Sequence, residues 1–396
     1  MKIVITVPTY YPKTDGVSIV TKYLAEGLVK KGHDITIVTS NKDIKDNNSE
    51  HNNVKIIRVN LYTRVGFYFG DKKTYYRIID ELLMKSDILI NVCTQNAFTD
   101  LLLPRLKKYK CKKILYLHGM FDFRLCSHDF TNVRSIFNKI WKQIRWSIFY
   151  FKNRKNFMLY NIVTQLHKKE YGTYFFKKKF NIDSYIIENA ADDDFFNSTL
   201  NKKFIKPVDK YILYVANYMD SKNQKLAIKE FYKANIDKSI SLVLIGSKKN
   251  EYFMQLEKLN QELRNKYHLN KNEKNVLMLY GIERDLIASY VKSSYLYIMT
   301  SKVEKYPISL IESMACGIPF ISTDVGVAKY LLGGVVSKKE DIHFYIELIL
   351  KNEKYRNLLG ELGKNYAINN SQINDKVNIL NDIINKICKG ENHNEN

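Results

Sequence analysis

The sequence predicts an α/β protein of two similar halves, each a parallel sheet covered by helices. Three observations predict it. Short apolar runs rich in Ile, Val, Leu and Tyr alternate with longer stretches of helical periodicity, the pattern of strands joined by crossover helices. A polar stretch beginning at Asn197, NSTLNKKFIKPVDK, interrupts that alternation, which then restarts. The length of 396 residues exceeds what one hydrophobic core ordinarily organises, so two domains of about 200 residues each are expected.

In chain order, KIVITV is the first strand, followed by a loop with Gly16, a helix from about Val17 to Lys31, and the strand DITIVTS after Gly32 and His33. That is a β-α-β unit. Further strands are predicted at VKIIRV, DILINV, KKILYLHG, IVT and YIIEN. After the polar stretch come the strand KYILYVAN, a helix from about Asn223, the strand SLVLIG, and a charged helix from about Glu251 to Lys266. NVLMLYG, a helix after Glu283, YLYIMTS, a short helix from about Pro307 to Cys316, and PFIST complete the second sheet. Beyond Asp341, FYIELILKNEKYRNLLGELG and KVNILNDIINKI keep helical spacing, and the terminal KGENHNEN is too polar to pack and is expected to be disordered. The expected division is 1–200, 201–376, and a closing segment 377–396.

Composition excludes several classes. No run approaches the roughly 18 apolar residues of a membrane span, and the start MKIVITVPTYYP is too briefly apolar for a signal peptide. A cytoplasmic protein is expected. Its five cysteines, at 93, 111, 126, 316 and 388, are scattered and form no C-x-x-C pair, which argues against a disulfide framework or a zinc site. Against 41 acidic residues stand 63 Lys and Arg, a formal charge of +22, and this surplus favours an anionic partner. Nucleic acid is disfavoured because no recognition module is present.

The short helix near Pro307 carries the chemistry. EKYPISLIESMACGIPF holds Glu304 and Glu312 eight positions apart, and the helix is apolar on nearly every face except for Glu312. A buried carboxylate needs hydrogen-bond donors, yet no Lys or Arg lies between positions 306 and 328. A ligand is one candidate donor, and an in-chain Lys, Arg or amide is the other. Pro307 fits the first helical position, leaving the amides of Ile308 and Ser309 outward at the positive end of the helix dipole. That is a phosphate cradle. In an open α/β sheet, ligands bind beyond the carboxyl ends of the strands, where Gly16, His118, Asn217, Lys222, Gly246, Gly281 and Glu304 all fall.

The E-x(7)-E spacing, with the following GIPFISTDVG, resembles the signature of the retaining glycosyltransferases of family 4. That resemblance implies the GT-B fold, two Rossmann-like parallel-sheet α/β domains facing across a cleft, the first on the acceptor side and the second binding the nucleotide sugar. It implies a closing helix, Val377 to Ile387, that crosses back onto the first domain. It also implies a donor site of Gly16, Asn217, Lys222, Ile282, Glu304, Tyr306, Pro307, Ile308, Ser309 and Glu312. Within it Glu304 would reach the sugar hydroxyls, Glu312 the ribose and His118 the donor sugar, with His118, Glu304 and Lys222 as the catalytic set. Lys222 aligns with the Lys of the family's Arg-x(4 to 5)-Lys pair, whose Arg is replaced here by Asn217. IENAADDDFF resembles the family's Asn-Gly-x-Asp-x(3)-Phe through Asn189, Asp192 and Phe196, and a single acidic run supplies too few ligands for a divalent ion. No metal and no cofactor beyond the co-substrate are expected.

The implied activity is transfer from a UDP- or GDP-sugar to a glycan or lipid-linked acceptor of a bacterial surface polysaccharide. From Asn132 to Tyr160, NVRSIFNKIWKQIRWSIFYFKNRKNFMLY interleaves aromatic and basic residues without an acid, so segment 132–160 suits an anionic membrane surface. Relatives often dock in this way, which places the protein on the inner face of the cell membrane. The same segment also fits a packed helix with core aromatics. A sugar-nucleotide epimerase or phosphorylase on the same scaffold, and a non-catalytic donor-binding partner subunit, remain alternative readings.

Overall fold

The computed structural model describes residues 1–44, 49–124, 133–270 and 273–389. The polar tail from Gly390, Asn132 and Cys126 lie outside them. The chain divides into two compact units, Met1–Glu188 with the chain from Asn374 onward, and Asn189–Ile373.

The first unit contains, in order, β1 (Lys2–Thr6), α1 (Gly16–Lys30), β2 (Asp34–Ser40), β3 (Glu50–His51), β4 (Val54–Val59), β5 (Leu61–Arg64), β6 (Phe67–Gly70), α2 (Lys72–Leu83), β7 (Ile88–Val92) and α3 (Ala97–Asp100). It continues through β8 (Lys112–Tyr116), α4 (Val133–Lys152), α5 (Arg154–Phe157), β9 (Ile162–Gln165), α6 (Tyr171–Phe180) and β10 (Tyr185–Ile186). Its sheet runs β10-β9-β8-β7-β1-β2-β4-β3. All neighbours pair in parallel except β3 with β4. β7 and β9 are buried at every position, as strands covered on both faces must be. Phe98, Phe157, Phe176 and Tyr75 fill the space between sheet and helices. β5 and β6 form a separate antiparallel hairpin that the strand pattern did not anticipate.

The second unit contains α7 (Asp193–Phe196), β11 (Tyr211–Val215), α8 (Gln224–Lys233), β12 (Ser241–Gly246), α9 (Glu251–Lys266), β13 (Val276–Tyr280), α10 (Arg284–Lys292) and β14 (Leu296–Met299). α11 (Ile308–Ala315), β15 (Phe320–Thr323), β16 (Gly334–Ser337), α12 (Ile342–Lys351) and α13 (Glu353–Asn370) follow. Its six strands run β13-β12-β11-β14-β15-β16, all parallel. The strand order reverses between β11 and β14, the position where α/β sheets open a binding crevice.

The polar stretch 197–210 belongs wholly to the second unit, so the division falls earlier than position 200. Lys292 holds it, donating to Asn197 Oδ1 at 2.9 Å and the Thr199 carbonyl at 2.7 Å, while the Asn201 amide reaches Ser289 Oγ at 2.8 Å. α14 (Ile373–Lys389) returns to the first unit. There Val377 packs where a Cβ on Gly27 of α1 would stand 2.3 Å from it, and His33 Nε2 lies 2.8 Å from Asn381 Oδ1. Glycine at position 27 lets the two helices touch.

Candidate active site

Two loops at the β11/β14 switch point are tied together before any ligand is considered. Tyr214, on β11, is buried and donates its hydroxyl to the Lys222 carbonyl at 2.6 Å, with Ser301 Oγ at 3.0 Å. Thr300 Oγ1 donates to the Asn223 carbonyl at 2.9 Å, and the Lys302 amide to the Ser221 carbonyl at 2.8 Å. The loop after β11 is thus stitched to the loop after β14. Across that seam Lys222 Nζ lies 2.5 Å from Glu304 Oε1. Both side chains are mostly covered, 27% and 15% exposed.

A third loop buttresses Glu304. Gly326, in STDVG, has φ +55, and a Cβ there would sit 2.3 Å from the Lys305 carbonyl oxygen and 2.8 Å from that of Glu304. The Val327 amide donates to the Lys305 carbonyl at 3.1 Å. Only glycine permits this approach without displacing the Glu304 backbone.

α11 begins at the same end of the sheet. Pro307 is the residue before the helix, with φ −71 and ψ 112, not its first helical residue as expected, because its ψ is extended. The first-turn amides of Ile308 and Ser309 have no acceptor within the helix, as at every helix start. Tyr306 is buried, and its carbonyl accepts from Asn189 Nδ2 at 2.9 Å, which fixes the strand-to-helix turn. Asn217 is exposed just past β11 and its carbonyl accepts from Gln224 Nε2 at 3.0 Å. Ile282 is half-buried beyond β13, next to Gly281 at φ +69.

Glu312 is 3% exposed. Of the two donors left open for it, the chain supplies one. Arg284, the first residue of α10, donates from one guanidinium nitrogen to Glu312 Oε1 and to Asp192 Oδ2, the latter at 3.0 Å. Burial opposes the charge on Arg284, but the two carboxylates outweigh it and hold its pKa above the usual value. The donor comes from a separate helix, which explains why no cation appears in the sequence around Glu312. Asp192 therefore serves as a partner of Arg284. Among the described residues no group of three His, Cys, Asp or Glu side chains gathers as a metal-holding set.

Gly16 and His118 belong to the first unit. Gly16 opens α1, whose start is capped by Asp15 Oδ1 accepting from the Ser18 amide at 3.2 Å. His118 follows β8 with Nε2 buried and unpartnered, and burial pushes its imidazole down to about 4. The ring is therefore neutral near pH 7.

Residues 14–158 match the family model Glycosyltransferase Family 4, and residues 196–366 match the model Glycosyl transferases group 1. The chain is a GT-B glycosyltransferase of family 4 type. A curated relative of this glycosyltransferase, the N-acetyl-alpha-D-glucosaminyl L-malate synthase of Bacillus anthracis, is 24% identical over 327 residues, 80% of this chain and 78% of that protein. An uncharacterized 42.6 kDa protein in the cps region of Klebsiella pneumoniae is 27% identical over 135 residues, and that match spans only 35% of its length. Among solved structures, sucrose-phosphate synthase from Thermosynechococcus elongatus superposes with TM-score 0.73 at 13% identity, covering 98% of this chain and 100% of that one. HepE from Anabaena, solved in complex with UDP-glucose, gives 0.66 at 11% identity with the same coverage. In this glycosyltransferase the second unit offers, at one sheet end, a cation, two carboxylates and a helix start: groups suited to a phosphate and to hydroxyls.

Proposed function

We propose that this protein is a retaining, metal-independent glycosyltransferase that moves a sugar from a UDP- or GDP-sugar to a glycan or lipid-linked acceptor in surface polysaccharide synthesis. The observation that carries the reading is the Lys222 to Glu304 contact at the β11/β14 switch point, beside the start of α11. Departure of a nucleoside diphosphate needs fixed positive groups aimed at the phosphates. Lys222 and the amides of Ile308 and Ser309 supply them in place of a metal ion. Glu304 then orients the sugar hydroxyls, Glu312 receives the ribose, and Ile282 and Tyr306 to Pro307 shape the walls.

In the step proposed, the bond from the anomeric carbon to the diphosphate oxygen breaks as the acceptor hydroxyl bonds to that carbon on the same face. The acceptor proton passes to the departing phosphate oxygen. His118, in the first unit, is neutral near pH 7, so any part it takes is that of a hydrogen-bonding group without charge. HepE from Anabaena, solved in complex with UDP and with UDP-glucose, supports a nucleotide-sugar donor.

Peripheral docking at the inner face of the cell membrane completes the proposal. Support comes from α4, where Val133, Phe137, Ile140, Ile144, Ile148 and Phe151 are all exposed. At about 100° per residue these six lie within an arc of roughly 80°. Lys139, Trp146 and Tyr150 are the residues α4 buries. On α4 exposed Arg134 and Lys152 border the stripe, and exposed Arg154 and Lys155 follow in the next short helix, the pairing that suits anionic lipid. Among the described residues no helix is long and apolar enough to cross a membrane.

A thermal-shift panel of UDP, GDP and their sugar conjugates tests the donor reading, since a ligand of the folded state raises the melting temperature by mass action. A shift with one nucleotide family, unchanged by EDTA, is expected. No shift with any member, or a shift that needs added magnesium or manganese, contradicts the reading.

A further inference from the structure

We propose that Arg284 is a positioning residue for the nucleoside, holding the Glu312 carboxylate so that its second oxygen meets the ribose hydroxyls, with Asp192 holding Arg284 in turn. This rests on the donor-site reading above.

Three elements converge on the guanidinium. α10 carries it, α11 presents Glu312 Oε1, and the α7 region presents Asp192 Oδ2 at 3.0 Å and the Phe195 ring, whose centre lies 5.1 Å from Arg284 Cζ. An aromatic face and two carboxylates leave the guanidinium little freedom to turn. Glu312 is thereby locked in rotation as well as neutralised in part.

The cluster is not closed upon itself. An ionised carboxylate has about four acceptor positions, and Arg284 takes one, on Oε1. Two carboxylates also face a single guanidinium, so the group keeps an acceptor-rich, net negative character. It can be completed by neutral donors, and a pair of adjacent hydroxyls fits that need. Arg284 lies just past the Gly281 and Ile282 turn, at the carboxyl end of β13, the sheet end where α11 starts. A purely structural bridge has no reason to discriminate between nucleotides with and without ribose hydroxyls; the positioning role does.

The test is calorimetric titration of the full chain with UDP and 2′,3′-dideoxy-UDP, and with GDP and its dideoxy analogue. Arg284→Gln is expected to weaken the ribonucleotide about 10-fold or more while changing the dideoxy analogue by less than about 3-fold. Arg284→Lys should restore part of the difference. Equal loss for both nucleotides, or no loss for either, overturns the proposal. Asp192→Asn, which keeps Arg284, should show the same selective loss at smaller amplitude even where Arg284→Gln fails to fold, and equal behaviour toward both nucleotides in that variant also overturns it. A wild-type chain that binds neither UDP nor GDP overturns the donor-site reading itself, an outcome distinct from wild-type binding that Arg284→Gln leaves unaltered.

Discussion

Lys222 Nζ meets Glu304 Oε1 at 2.5 Å although the two residues are 82 positions apart. The pair joins the loops at the sheet's reversal point, so Lys222 compensates Glu304, and in the proposed reaction the same ammonium receives the diphosphate. Lys222→Ala is expected to lower kcat about 100-fold to 1000-fold, the range for removing one preorganised charge-stabilising group. Circular dichroism should report an unchanged fold. Turnover within about 3-fold of wild type would remove Lys222 from the catalytic set.

Gly326 governs where Glu304 stands. Gly326→Ala places a methyl group against the carbonyls of Glu304 and Lys305 at positive φ. A stability loss of about 1–3 kcal/mol is expected, read from urea unfolding, together with a fall in kcat that persists at temperatures where the variant is fully folded. Full activity in the folded variant would show that the loop moves away without cost.

The exposed stripe of α4 makes a separate prediction. Replacing Phe137, Ile144 and Phe151 with Ser should abolish flotation with anionic vesicles while leaving the melting temperature nearly unchanged, since exposed positions contribute little to folding. Equal flotation of the wild type on anionic and neutral vesicles would dispose of the membrane assignment.

Two buried groups of the first unit tilt stability in opposite directions. An unfolded His takes a proton near pH 6.5, which folded His118 refuses down to about 4, so this residue makes stability fall as pH drops through that window. Burial pushes Asp100 up to about 7, against hydrogen bonds from Tyr68 and the Gln95 amide. Its folded carboxyl keeps a proton that the unfolded chain releases near 3.9, so stability falls as pH rises. Relative to wild type, His118→Gln should gain stability toward pH 4.5 and Asp100→Asn toward pH 7. Urea midpoints between those limits decide, and parallel profiles for all three proteins would contradict the assignment.

The strand and helix alternation was legible because buried parallel strands are continuous apolar runs, as in ILINV and SLVLIG. Glu312 was legible as a buried charge by the apolar residues around it. Its partner was not, since Arg284 precedes it by 28 positions and sits in a surface-like run, IERDL. The β5–β6 hairpin escaped because its turn is Val65-Gly66, with φ +49 and +78, where a β-branched residue replaces the usual Asn or Asp. The unit boundary was misplaced for a related reason. Polar residues at 197–210 signal a linker by composition, yet their side chains and amides are held by Lys292 and Ser289. The apolar stripe of α4 reads identically in sequence whether it faces core or solvent, and only the structure assigns it outward.

In the proposed reaction a nucleotide seats on the second unit at the start of α11. Amide hydrogen exchange with and without saturating UDP or GDP reports that seat residue by residue. Slowed exchange confined to residues 219–223, 281–284 and 304–312 is predicted. Slowed exchange only elsewhere, or none with either nucleotide, would contradict it.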